Sequence, residues 1–580
     1  MFLQQCRDFF QHYYPSLLSK TADDSQYAKI WDFGGHSIYH VTHQPFLSSN
    51  SIYFLVFNIN QNIHDRVITR DGHTLNITYL QSMQEWLTSI ISSNSNQEKI
   101  TATINNDETE YSLPIVILIA SHGDCIVNEQ EGIDRFIEFE RELRNKMPCY
   151  NSNIYTSRII FNCNPDDNSD AILAKREECS LHLHEIMKSF VESLPFMCNP
   201  IPIRWYIMAT ILHTPIDSPD DKVVTSFINL IRDTRVRKIM TIQEIQSIAI
   251  DFGLYEGDDE LTAMLSYLHD LGEIILCRQV DKYGIVVTDV DWLLRIFRAI
   301  IQLHSCPSGN FQIQSLYDEA GRTGKISTQY INYVLASYKL DNETKKSIIN
   351  LMQTYDILCR IKSDNDDDDD DCNYFVPYLL RPDVESFDIS EYYVSDILYI
   401  GYQYNHIPYI PDGIYYCLLS SCLKQWNNTK VELYYQCAKF YVTKSHHYII
   451  IKKDNSHIAL QYCYQKFDNP ASAKMIKSTV KTSIRKDRPH DNVKDKLSSL
   501  INDRMPKFKG AKIHYYIRCK ECNNLTLIDY ARESQYGKLI PCQNKSCYKL
   551  FESETMDDWI YVDKEDKNGK LNNQLISGKA

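Results

Sequence analysis

Four cysteines near the carboxyl end have the spacing of a metal site. Cys519-x2-Cys522 is followed, across a β-rich stretch, by Cys542-x4-Cys547. Two such knuckles suit tetrahedral Zn2+, which takes thiolate ligands, and a region this small can hardly fold on an apolar core alone. With all four ligands coming from protein no position stays open, so a zinc ion here is structural. Reduced thiols without metal are the plainer alternative. Near the other end, Asp32-Phe33-Gly34-Gly35 interrupts a strand-like run and sets a carboxylate beside two glycines. Glycine there lets the backbone be approached more closely than any side chain allows. Ser121-His122-Gly123-Asp124 is a second polar turn, closing the apolar run that starts at Leu113. Other polar groups carry less. The acidic run Asn365–Asp371 lacks the glycine turn and terminal glutamate of a calcium loop and reads as a solvated hairpin tip. His182 and His184, two residues apart, face away from each other on a helix.

The elements around these residues follow from periodicity. "SIYFLVFNI" and "LPIVILIAS" are continuous apolar runs of the kind that lie in a parallel sheet covered on both faces. They alternate with helical patterns such as "RFIEFERELRNKM", which predicts a doubly wound α/β unit. From about Pro195 to Leu380 the pattern becomes helical, with short strands near its end. Trp205, Trp292 and Phe297 are expected in its core. Residues 390–465 are rich in tyrosine and β-branched side chains and read as an antiparallel sheet with one helix, "GIYYCLLSSCLKQW". A basic stretch follows, including Lys474, Lys477, Lys481, Arg485, Lys486 and Arg488.

Composition narrows the classes. The chain has 580 residues and 43% apolar content, enough for several cores. No apolar run reaches the roughly 20 residues of a membrane span, and "MFLQQCRDFFQHYY" has no basic leader pattern. The 18 cysteines are mostly scattered singly, which suits reduced thiols and a cytoplasmic setting. A net charge of −14 argues against a general polyanion binder and makes nucleic acid an unlikely partner.

"WDFGGHSIYHVTHQPFL" resembles the Roc GTPase domain of the Roco family, and "IPIRWYIMATIL", "AMLSYLHDLGEIIL", "VVTDVDWLLRIFRAII" and "YFVPYLLRP" resemble, in order, its COR partner. The resemblance covers about residues 29–465. It implies a multidomain chain of α/β plus α+β class: an amphipathic helix over 1–28, and a partial P-loop-GTPase-like doubly wound sheet over 29–192. A winged-helix-like COR half over 193–382 and an antiparallel-sheet, dimerising COR half over 383–468 follow. The rest divides into a basic linker, 469–510, a small zinc-ribbon-like module holding the four cysteines, 511–560, and a disordered tail, 561–580.

The resemblance also assigns roles. Asp32 would hold Mg2+ through water and the Gly35 amide would meet the γ-phosphate of GTP. Ser121, His122 and Asp124 would stand at the guanine-reading motif, with Asp124 accepting hydrogen bonds from the base edge. Two departures matter. His36 stands where a glutamine-like residue positions the attacking water, so GTPase turnover is in doubt. No Gly-x4-Gly-Lys-[Ser/Thr] phosphate loop occurs; "GRTGKIS" at Gly321 has its glycines too close and Ile326 after the lysine. GTP or GDP with Mg2+ is therefore expected to bind only if the missing half of the nucleotide site is restored. The expected function is a GTP-binding signalling switch, or its truncated remnant, acting through a COR-mediated homodimer on protein signalling partners. The alternative is a non-catalytic protein-interaction scaffold with a structural zinc module. No protein-kinase motif set is present.

Overall fold

A computed structural model describes residues 32, 47–48, 50–68, 74–92, 98–104, 106–126, 128–162, 164, 169–195, 201–213, 237–277, 284–301, 311–355, 357–361, 373–380, 387–403, 406–426, 431–441, 447–465, 475, 488–529, 539–544, 546–547, 550–552 and 559. Gly35, His36, residues 1–28, the acidic run Asn365–Asp371 and the tail 561–580 lie outside them. The chain forms two compact units of interleaved segments. Met1–Asn60, Asn96–Phe136 and Ser152–Leu379 make the first; Gln61–Ser95, Ile137–Asn151 and Leu380–Ala580 make the second.

The first unit begins with a parallel sheet in the order β1 (Ile52–Asn58), β6 (Ile115–Ser121), β7 (Ile154–Ile160). β6 is apolar along its length because it is the middle strand and both its faces are covered. On one face Ile115, Ile117 and Ile119 meet Ile100 and Ala102 of a hairpin, β4 (Lys99–Ile104) and β5 (Asp107–Ser112), and Ile186 and Phe190 of helix α3 (Asp170–Ser193). On the other, Phe57 packs edge-on against Phe136 of helix α2 (Glu129–Lys146), ring centroids 5.2 Å apart.

Two copies of one arrangement follow. In the first, helix α4 (Ile203–His213) precedes strand β8 (Ile239–Thr241), helices α5 (Ile242–Asp251) and α6 (Asp258–Asp270), and a return through β9 (Ile275–Cys277) and β10 (Ile285–Val287). The antiparallel order is β8–β10–β9. After α7 (Val290–Ile301) the second copy runs through α8 (Phe311–Thr323), β11 (Lys325–Ser327), α9 (Thr328–Leu335), α10 (Asn342–Thr354), β12 (Cys359–Ile361) and β13 (Asn373–Phe375). Its order, β11–β13–β12, is the same.

The copies start their second helices alike. Thr241 accepts from the Glu244 backbone N–H while Glu244 accepts from the Thr241 N–H, a capping box; Ser327 accepts from the Tyr330 N–H. Trp292 and Phe297 are buried as expected; Trp205 is half-buried, its Nε1 donating to Glu260 at 3.0 Å.

The second unit is an antiparallel sheet in the order β16 (Val431–Leu433), β17 (Cys437–Tyr441), β18 (His447–Asp454), β19 (His457–Gln465), β15 (Leu398–Tyr402), β20 (Ile513–Arg518), β21 (Leu525–Leu527), with β14 (Tyr392–Val394) beside one end of β19. Helix α11 (Asp412–Trp426) is buried on most of its circumference, which its mixed sequence of tyrosine, cysteine and leucine permits. Helix α12 (Pro489–Arg504) covers it with Val493, Leu497 and Ile501, spaced four residues apart. A hairpin, β2 (Arg66–Ile68) and β3 (Thr74–Thr78), and helix α1 (Tyr79–Ser92) complete this unit. Trp559 is buried against Tyr462 and His490, with its Nε1 donating to Ser395 Oγ at 3.0 Å.

Candidate functional site

The four cysteines converge. Their Sγ atoms all lie within 4.8 Å of one another, with Cys522 to Cys542 at 3.4 Å and Cys519 to Cys547 at 4.0 Å. None of the four is in a disulfide. Ligands at about 2.3 Å around a tetrahedral zinc ion stand about 3.8 Å apart, so the donor set and spacing are compatible with zinc. Backbone makes the first knuckle. Strand β20 delivers Cys519, whose N–H donates to Asn524 O at 2.8 Å, while the Asn523 N–H donates back to Cys519 O at 3.0 Å. Asn523 takes a left-handed conformation, φ 63°, which asparagine tolerates better than most residues. The Asn524 backbone N–H draws the Cys522 thiol down to about 7. In the second knuckle, the Asn544 N–H donates to Cys542 Sγ at 3.4 Å. The knuckles are bonded into the sheet through β20 and β21, and β22 (Leu539–Pro541) pairs with β23 (Leu550–Glu552) around the second pair. Tyr516 packs with Tyr399, Ala459, Leu525 and Leu527; Tyr515 instead turns toward helix α12, its hydroxyl donating to Asp491.

Ser121, His122 and Asp124 share one turn at the carboxyl end of the middle parallel strand. Ser121 Oγ donates to Phe57 O at 3.1 Å, tying β6 to β1. The chain then reverses through His122, φ 61°. Gly123 follows because a Cβ there would stand 2.9 Å from Ile160 Cγ2 and 3.2 Å from Phe161 O. Its N–H donates to Phe161 O at 2.9 Å, which fixes the turn against β7. Asp124 is exposed in the short 3-10 turn Gly123–Cys125. Asp32 is also exposed, and Gly35 and His36 lie outside the described residues. The "GRTGKIS" run joins the end of helix α8 to strand β11, with Gly324 at φ 69°. That is the reverse of the strand-to-helix order a phosphate loop needs.

No family model and no curated protein matches this chain. Among solved structures, the GDP-bound RocCORdC fragment of Roco2 from Methanosarcina barkeri aligns with a TM-score of 0.34 and 16% identity, over 60% of this chain and 79% of that one. Such an overlap is below what a shared fold gives, and the nucleotide is that protein's.

A third cluster has no counterpart in the motif reading. Lys453 Nζ, on β18, lies 2.6 Å from Asp412 Oδ1 and 2.7 Å from Glu85 Oε1. The three side chains are 1%, 8% and 5% exposed. Tyr435 donates to Asp412 Oδ2 at 2.7 Å, and the Tyr409 ring lies 4.3 Å beneath the ammonium. Burial opposes the Lys453 charge, but Asp412 and Glu85 outweigh it and hold its pKa above the ordinary range. Burial and the neighbouring Asp412 push Glu85 up to about 7 against the pull of Lys453. The sequence did carry a sign of this: in β18, Lys453 falls in the same alternate register as Ile449 and Ile451, both buried.

Among the described residues no helix is long and apolar enough to cross a membrane.

Proposed function

We propose that this chain is a Roc–COR type module: its first unit carries the guanine-reading part of a GTP switch, and the COR-like remainder relays the nucleotide state through a homodimer. The observation that carries the reading is the Ser121–Asp124 turn, with an exposed carboxylate at the carboxyl end of the middle strand of a parallel sheet. Ligands of open α/β sheets bind outside the carboxyl ends of their strands. The duplicated helix-and-hairpin segments and the antiparallel sheet would be the winged-helix-like and dimerising halves of COR. Asp32 and Gly35 would hold Mg2+ and the γ-phosphate, with His36 at the water-positioning place.

The phosphate loop is absent from the sequence, so most of the positive compensation for the β- and γ-phosphates is missing. Binding of GDP·Mg2+ is therefore weaker than about 100 µM, roughly −5.5 kcal/mol, with guanine preferred over adenine. Calorimetric titration of the full chain with GDP, ADP and the Asp124→Ala variant tests this. Equal affinity for both bases, or no loss on Asp124→Ala, overturns the guanine-reading assignment; micromolar GTP affinity overturns the reading of a nucleotide site without a phosphate loop. Light scattering reports the dimer.

The four-cysteine cluster favours the second reading, a non-catalytic interaction scaffold stiffened by zinc. Nucleic acid is the weakest partner. Helix α6 carries Asp258, Asp259, Glu260 and Asp270, which repel a phosphate backbone.

A further inference from the structure

Helix α1 reaches the sheet of the second unit from a distant part of the sequence. Its contribution to the buried cluster is one side chain, Glu85, 368 residues from Lys453. Lys453 and Asp412 are held by the sheet and by the first turn of α11, where the helix dipole and the Tyr435 hydroxyl both favour the aspartate's charge. That pair is complete without Glu85. Glu85 is the element that crosses to the helix, with Gln81 Nε2 adding a long bond of 3.4 Å to Asn455 on the turn after β18.

We propose that Glu85, Lys453 and Asp412 form a latch that holds helix α1 on the sheet, so that losing the Glu85 arm releases the helix as a unit while the sheet and α11 stay folded. This is independent of the nucleotide reading. The physical basis is asymmetry. Removing Glu85 leaves a paired, hydrogen-bonded Lys453–Asp412 and takes one partner from the Tyr409 hydroxyl, whereas removing Lys453 leaves two carboxylates buried together. Local opening of one helix costs less than global unfolding because the rest of the core stays closed. The apolar side chains Leu80, Leu87, Ile90 and Ile91 pack the helix down, and Glu85 adds the charge-assisted bond that shifts its opening equilibrium.

Hydrogen–deuterium exchange of the full chain, resolved to peptides spanning 79–92, 412–426 and 447–465, tests the latch. Alanine is a better helix former than glutamate, so Glu85→Ala does not weaken the helix by itself. Expected is exchange over 79–92 accelerated about tenfold or more, the worth of one charge-assisted buried hydrogen bond, with 412–426 and 447–465 unchanged. Glu85→Gln keeps a hydrogen-bonding group and is expected within about threefold of the native chain, by the smaller worth of a neutral bond. Unchanged exchange over 79–92 in Glu85→Ala overturns the proposal. So does equal acceleration of the sheet peptides, or failure of that variant to fold, because each means the helix is not separable from the sheet.

Discussion

Lys453 shows why a buried charge is tolerated when it is fully partnered and not otherwise. It is encircled by two carboxylates, a tyrosine ring and no water-facing edge, 1% exposed. Replacing it by methionine keeps the volume but strands Asp412 and Glu85 together. The expected cost is about 3–5 kcal/mol in urea unfolding. Glu85 gives the same cluster a pH dependence. Its folded pKa, raised from the ordinary 4.5 to about 7, means that the folded chain holds a proton the unfolded chain has lost. Its contribution is therefore fully present below about pH 4.5 and is lost as pH rises through about 7. The difference in unfolding free energy between native chain and Glu85→Gln should thus shift between about pH 4.5 and 7, against the native chain as pH rises. The other groups that titrate or carry charge around Glu85 are Asp412, Lys453, Tyr409 and Tyr435, with Asp454 next along the strand; Arg66 on β2 and Lys507 on the 506–508 turn lie on elements that also pack against the helix. The paired variant isolates the one side chain that changes.

At the scale of elements, strand pairing decides one glycine and one cap. Gly401 of β15 stands opposite His457 of β19, and a Cβ at 401 would run into the His457 ring. Burial lowers the His457 pKa to about 4, so the ring is neutral and cannot escape to solvent. Gly401→Ala is expected to destabilise the second unit by about 1–3 kcal/mol, the ordinary cost of overpacking, read as a lower unfolding midpoint with an unchanged slope. Thr241→Ala removes half of a capping box and should cost about 1 kcal/mol, confined to exchange of helix α5 and its neighbours. The equivalence of Thr241 and Ser327 also exposes a duplication. "RKIMTIQEI" and "TGKISTQYI" occupy matching places in the two copies. No regular period announces it, because the intervening loops differ in length and composition.

For the whole molecule, the cysteine cluster is the feature whose removal should be felt most widely. The knuckles are continuous with β20 and β21, and β20 is an inner strand. Arg518, just before Cys519, donates to Tyr399 Oη at 2.8 Å and pairs with Asp454 Oδ2 at 2.5 Å. Metal analysis should find about one zinc per chain, as four thiolates make one closed site. A strong chelator, or Cys519→Ser, should lower the thermal midpoint and speed exchange first over 513–527, and acidification should release the metal because the ligands must be deprotonated. A chain with no metal and unchanged stability in chelator would refute the zinc assignment.

Local stretches of sequence dictate the kinds of element and the chemistry carried on each. The continuous apolar run of β6 favours a covered parallel strand, the tyrosine- and β-branched-rich runs of β18 and β19 favour strands, and the Cys-x2-Cys spacing favours a tight turn presenting two thiols. These depend on neighbours a few residues away, where backbone geometry leaves little choice. What distant neighbours do is settled by the folded chain alone. Glu85 looks like any helical glutamate, and Asp412 like any helix-starting aspartate. Their burial around Lys453 arises because three elements far apart in the chain close over one point, and the energy of a charge there depends on that closure and not on its own stretch of sequence.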